Sequence, residues 1–281
     1  MKLKLACADY SFPLLPFPET MDLIRALKIP AIDVGLFEGH KHLVPSTELS
    51  RPEKHGRQLR RMLAERDLAL ADVFLVAATD RENLAPNNFD PKNNRKSREV
   101  FERSLDYLNA AGGRHLTQLP GVYFPGKSKK ECFDRSALEL EWRAQRAKKR
   151  GIVFSVEPHL GSVVETPATA LRMVKQAPTL TYALDYTHFT FAGYKDSEIE
   201  PLLPHASHFH VRGAEKGRLQ ASFKRNKIDF KRALKRMKSL GYKGYQALEY
   251  VWIEWERSNE CDNVSETILF RDHLTALAKQ I

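Results

Sequence analysis

Four apolar runs in the second half of the chain each finish on, or contain, a residue able to bind a metal or carry a proton. They are Phe154-Ser155-Val156-Glu157, Ala183-Leu184-Asp185, His208-Phe209-His210 and Ala247-Leu248-Glu249. Ionisable groups at the ends of apolar strands are costly to bury unless they are paired or bound to metal. Three carboxylates gathered at one rim would repel one another, and a divalent cation removes that repulsion. Glu157, Asp185, His210 and Glu249 are therefore the expected metal ligands. Three oxygen donors with one imidazole suit Mn first, with Mg, Co or Zn as alternatives. Glu157 and Glu249 come from different strands and would approach the metal from different sides, as two catalytic acid/base groups would. His188 follows Asp185 by three residues and is expected on the same rim, as a substrate contact or a ligand to a second metal. His208 shares a strand face with His210, because side chains alternate along a strand, and is expected one layer deeper.

The elements that must position these residues can be read along the chain. Short apolar runs alternate with helical patterns eight times: Lys2–Ala8, Ala31–Leu36, Leu68–Val76, His115–Leu119, Ile152–Val156, Leu180–Leu184, His208–Val211 and Tyr245–Leu248 are the expected strands. Strands joined through helices pair in parallel. Their number, with the chain length, favours a closed α/β barrel of (β/α)8 type, a single domain over residues 1–281, with its active site at the C-terminal strand ends. No glycine-rich dinucleotide or P-loop fingerprint follows the first strand, which weakens the open nucleotide-binding sheets. Helix starts are expected at a Ser50-x-x-Glu53 capping box, at Thr166-Pro167 and at Asp229; Phe270, Leu274, Leu277 and Ile281 mark the apolar face of the last helix. The polar segment Ala77–Lys96 reads as a long rim loop. Phe12, Phe17, Phe37, Tyr123, Phe124, Trp252 and Trp255 fall near strand ends, where they would line the rim of the site or pack the core, or, for the two tryptophans, form a dimer interface.

Composition narrows the functional classes. Lys and Arg number 45 against 35 Asp and Glu, a net charge of +10. The excess is concentrated in Arg143–Arg150 and Lys224–Lys238, which read as solvated helix faces, and no nucleic-acid-binding signature accompanies it. No apolar run is long enough to span a bilayer, so a membrane partner is not expected. Three widely spaced cysteines, Cys7, Cys132 and Cys261, imply no disulfide framework and suit the cytoplasm.

Glu157, Asp185-x-x-His188, His210 and Glu249 at these strand ends resemble the xylose isomerase-like TIM-barrel superfamily, the sugar phosphate isomerase/epimerase group. The similarity runs over essentially the whole chain. The runs His115-Leu116-Thr117-Gln118-Leu119-Pro120-Gly121, Glu157-Pro158-His159 and Glu249-Tyr250-Val251-Trp252 also resemble this group. The resemblance implies one divalent metal on Glu157, Asp185, His210 and Glu249, proton exchange by the two glutamates, and substrate hydroxyls held by His188. Epimerases of the group carry an arginine six residues beyond the metal histidine. That position is Lys216 here, with Arg212 and Arg218 nearby, so the substrate-binding role is open among these three cations. Their loop could also bind a phosphate or carboxylate, since anion sites in such barrels lie after strands seven and eight.

The expected function is metal-dependent isomerisation or epimerisation of a polyhydroxylated carbonyl compound. The alternatives are a dehydratase acting on a keto-sugar or inosose, and a partner-dependent sugar-binding subunit. An apurinic endonuclease is disfavoured, because those enzymes place an Asp where this chain has His208. Their early-strand ligands have only loose counterparts in His40, His42 and His115. A homo-oligomer stays open.

Overall fold

The computed structural model describes residues 2–39, 42–252 and 258–281. The first half runs β1 (Leu5–Ala8), α1 (Phe17–Ala26), β2 (Ala31–Phe37), α2 (Pro45–Glu48), α3 (Pro52–Ala64), β3 (Ala69–Val76), α4 (Pro91–Ala111), β4 (His115–Gln118) and α5 (Lys129–Lys149). The second half runs β5 (Val153–Val156), α6 (Pro167–Gln176), β6 (Thr181–Asp185), α7 (Tyr186–Ala192), α8 (Asp196–Ile199) and β7 (Ala206–Val211). It continues with β8 (Gly213–Glu215), β9 (Arg218–Ala221), α9 (Phe230–Ser239), β10 (Gln246–Leu248) and α10 (Asn263–Gln280). Strands β1 to β7 and β10 close a parallel barrel in the order β1-β10-β7-β6-β5-β4-β3-β2. This is the (β/α)8 architecture expected from the alternation. No helix among the described residues is long and apolar enough to cross a membrane.

The main core lies between barrel and helices. Leu116, Phe154, Val156, Leu184, Phe209 and Leu248 point outward from their strands into it, and α4, α5 and α10 cover them with Phe101, Leu140 and Phe270. Thr166 caps α6 by accepting from Thr169 N at 3.1 Å, with Pro167 in the first turn. Asp229 caps α9 by accepting from Arg232 N at 2.9 Å. Phe270, Leu274 and Leu277 are buried on α10, and Ile281 lies beyond its end, partly buried. The three cysteines are buried free thiols.

Three local expectations are corrected. The Ser50 capping box does not form: Ser50 Oγ donates to Thr47 O at 2.6 Å, and Pro52 opens α3 behind Arg51, which supplies no side-chain cap. Helix α4 begins at Pro91, capped by Asp90, so the rim segment after β3 ends sooner than Lys96. Third, the stretch after β7 is not a plain loop. Strands β8 and β9 pair antiparallel, and Gly217 adopts a φ of +74° in their turn. That positive φ suits glycine.

Candidate metal centre and active site

The barrel interior carries the chemistry in layers. Alternation along each strand puts Glu157, Asp185, His210 and Glu249 inward at the C-terminal rim, and the residues two positions earlier one layer below. Barrel interiors are ordinarily filled by bulky branched residues. Here the layer beneath the rim is polar. His208 Nε2 lies 2.7 Å from Asp33 Oδ2, and His115 Nδ1 lies 2.7 Å from Asp72 Oδ1. All four are buried. His208 thus sits deeper than His210, as its strand face predicts.

At the rim, one ligand atom each from Glu157, Asp185, His210 and Glu249 falls within 4.8 Å of all the others, and all four residues are buried. His210 Nδ1 lies 2.7 Å from Glu157 Oε1 and 3.1 Å from Glu249 Oε2. A single Nδ1 carries one hydrogen or one lone pair, so it cannot serve both carboxylates. Glu249 Oε2 is left buried without a hydrogen bond. These donors fit a cation seated among them, and a hard one by their oxygen majority. Without it, burial works against the charge on His210, yet Glu249 and Glu157 hold its imidazolium well above the usual range. Burial likewise raises the Glu157 carboxyl, but His188 and His210 outweigh it and bring the group well below the usual carboxylate range.

Local structure fixes each donor. Asp185 ends β6 and caps α7, accepting from Thr187 N at 2.8 Å and Thr187 Oγ1 at 2.7 Å. Arg212, one residue past the end of β7 and on the same face as His210, donates to Asp185 Oδ2 through Nη2 at 3.1 Å. Tyr10 OH donates to Glu249 Oε1 at 3.0 Å. Gly35 makes room for that phenol: a Cβ there would sit 2.8 Å from Tyr10 Cδ1. Behind the site, His210 Nε2 faces Asp33 Oδ2 at 3.8 Å.

His188 lies in the first turn of α7, with Nε2 3.7 Å from both Glu157 Oε2 and Asp185 Oδ2. Both its ring nitrogens are buried without a hydrogen-bond partner, and its ring packs on His159 at 4.1 Å between centroids. The three cations that follow His210 separate. Arg212 reaches the centre. Lys216 lies along α7, its side chain against Gly193. Arg218 pairs with Glu215 and Glu260. The structure therefore brings Arg212, and neither Lys216 nor Arg218, to the four rim residues, because the β-hairpin turns those two side chains outward.

A cavity of about 240 Å³ opens above the centre. Glu157, Glu249, Arg212 and His159 line it together with Tyr10, Phe37, Phe74 and Trp252. Phe12 and Phe17 pack in the main core instead, with Tyr123 and Phe124 partly buried against it. Trp255 and His40 lie outside the described residues. His42 is held by Asp9 at 2.6 Å, and His115 is spent on Asp72 and on Ser207 Oγ at 2.8 Å. Neither histidine joins the rim cluster. Sequence reasoning missed Tyr10 and Asp33. A charged residue inside the apolar run Ala31-Ile32-Asp33-Val34 was the available signal for the second.

The sequence pattern described as xylose isomerase-like TIM barrel matches residues 21–270. The chain belongs to that family. Among solved structures, D-psicose 3-epimerase from Clostridium cellulolyticum H10 superposes with a TM-score of 0.75 at 14% identity, over 98% of this chain and 99% of that one. An L-ribulose 3-epimerase gives a TM-score of 0.76 at 14% identity, over 99% and 97%. An AP endonuclease of family 2 from Brucella melitensis gives 0.72 at 18% identity, over 96% and 99%. At such identities the family members share a fold with this chain, while the site must be argued from its own residues. No curated protein matches the sequence.

Proposed function

We propose that this protein is a divalent-metal-dependent isomerase or epimerase that moves a proton next to the carbonyl of a polyhydroxylated, sugar-like substrate. The observation that carries the reading is the convergence of Glu157 and Glu249 on one nitrogen of His210, at 2.7 and 3.1 Å, from strands on different sides of the barrel. Two carboxylates reaching one metal centre from different strands also suit a base on each face of a substrate carbon. The kinds of epimerase that share the fold agree with this reading.

Glu157, Asp185, His210 and Glu249 would hold the metal, with Mn preferred for its tolerance of mixed oxygen and nitrogen ligands. When bound, the metal supplies Lewis-acid stabilisation of negative charge developing on the substrate carbonyl. Glu157 and Glu249 take the proton from one face of the reacting carbon and return one to the other. Tyr10, donating to Glu249 Oε1, keeps that carboxylate turned toward the cavity. His188, with both ring nitrogens uncommitted, holds a substrate hydroxyl. Arg212 keeps Asp185 in place through its bond to Oδ2.

Ketoses, aldoses and inososes incubated with metal-loaded protein in deuterated water test the reading. Deuterium should appear at carbon beside the carbonyl, seen by NMR. Glu157→Gln and Glu249→Gln should each lower kcat by at least about 100-fold, the lower range for a general acid or base. Near-normal turnover in either variant, with metal still bound, rejects the two-base scheme.

A further inference from the structure

Arg81 stands on the lip of the same cavity, in the segment between β3 and α4. Its Nη1 donates to Leu160 O at 3.0 Å and lies 3.4 Å from His159 Nδ1. Among the described residues no carboxylate lies within ion-pair reach of it. The adjacent Asp80 spends its oxygens on Glu82 N, Asn83 N and Asn83 Nδ2. Nε and Nη2, the two donors that bind a carboxylate side-on, are therefore uncommitted in Arg81. Arg98 shows that mode in this same chain, donating through Nε at 3.0 Å and Nη2 at 2.7 Å to the two oxygens of Glu139. Arg212 and Arg218 already have carboxylate partners.

The segment that carries Arg81 is built to hold its place. Asn87 is buried and donates to Val122 O at 2.7 Å and Cys132 O at 3.1 Å, while its Oδ1 accepts from Val122 N. Asn88 Nδ2 closes the tip of the segment through Glu82 O at 2.7 Å. The guanidinium is also linked to the reaction centre by short steps. It lies beside His159, His159 packs on His188, and His188 reaches Glu157 and Asp185. Arg81, Glu157 and Glu249 also line one and the same cavity of about 240 Å³, so a ligand seated in it meets both ends. The aromatic part of the lining offers little to hydroxyls: Tyr10, Phe37 and Phe74 pack ring to ring, with centroids 4.8 and 5.4 Å apart.

We infer that Arg81 binds an anionic group, carboxylate or phosphate, at the end of the substrate remote from the reacting carbon. The aromatic wall then packs on the substrate's less polar face. This rests on the isomerase reading for where the reacting carbon lies. A free guanidinium edge is suited to paired oxygens of either anion, and charge-assisted bonds of this type are the strong ones.

Calorimetric titration of metal-loaded protein with D-fructose, D-fructose 6-phosphate and D-fructuronate tests the inference without requiring turnover. The wild-type protein should bind at least one of the two anions roughly 10- to 100-fold more tightly than the neutral sugar. In Arg81→Met that affinity ratio should fall to near one, and Arg81→Lys should keep part of it. Preference for the phosphate or for the acid identifies which anion the subsite takes. A wild-type ratio near one, or a ratio that survives Arg81→Met, overturns the inference. Anion preference without deuterium exchange into any substrate would leave the subsite standing and remove the isomerase reading instead.

Discussion

Divalent metal should stabilise this protein against heat, because the rim geometry crowds three carboxylates that a cation would neutralise. Glu157, Asp185 and Glu249 are buried together, with ligand atoms within 4.8 Å of one another. At that distance and an effective dielectric constant of about 20, each carboxylate pair repels by roughly 3.5 kcal/mol. His210 and Arg212 offset part of this, and a divalent cation removes the rest. A metal present at about 1,000 times its dissociation constant stabilises the folded state by about 4 kcal/mol. With an unfolding entropy of about 2.1 cal/mol/K per residue, 281 residues give roughly 1.7 °C per kcal/mol, so Tm should rise by about 7 °C. The assay is thermal unfolding of chelator-stripped protein, alone and with Mn, Mg, Co or Zn, beside elemental analysis of the protein as purified. Asp185→Asn should lose most of the rise. An unchanged Tm with all four metals, together with no retained metal, would refute the reasoning from crowded carboxylates.

Two further outcomes are expected. Asp33→Asn should weaken metal binding by roughly 10- to 100-fold, measured by chelator competition, because a carboxylate behind a ligating imidazole orients the ring and strengthens it as a donor; unchanged affinity would reduce the 3.8 Å approach of Asp33 to His210 to mere packing. Glu139→Gln should cost about 3–5 kcal/mol in urea denaturation at pH 7, since it leaves the fully buried Arg143 guanidinium, now paired at 2.8 Å, without its counter-charge. Burial raises the Glu139 carboxyl, but bonds from Arg98 and Arg143 outweigh it and hold the group below its ordinary 4.5. A carboxyl depressed in the folded state stabilises above its unfolded value and loses that contribution as pH falls through the folded one. The gap between wild type and Glu139→Gln should therefore begin to shrink as pH falls below the unfolded carboxyl value of about 4.3 and go on shrinking toward acid, and a gap that stays constant down to acid would disprove the ion-pair origin.

Much of this protein was determined by local sequence. Eight apolar runs alternating with amphipathic segments leave parallel pairing through helical crossovers as the way to bury both faces of the sheet. Glu157, Asp185, His210 and Glu249 were legible because each stands on the inward face at the end of such a run, where a lone ionic group has no cheap place. Asp185 could be placed with His188 because three residues span most of one helical turn, and α7 starts at once from β6. Other features depended on closure. Tyr10 meets Glu249 across 239 residues, and Asp33 meets His208 across 175, once β1 and β2 have joined the other strands in a ring. Neither partner can be found from spacing, since nothing short-range links them. Arg212, Lys216 and Arg218 showed the opposite failure. They are equivalent as cations near one rim, and only the end of β7 and the β8–β9 hairpin after it separate them. Alternation along Val211, Arg212 and Gly213 turns Arg212 in to Asp185, while the antiparallel pairing lays Arg218 beside Glu215, within reach of Glu260. Residue type set which chemistry was available, and the direction of each Cα–Cβ bond in the closed barrel decided which side chains could share it.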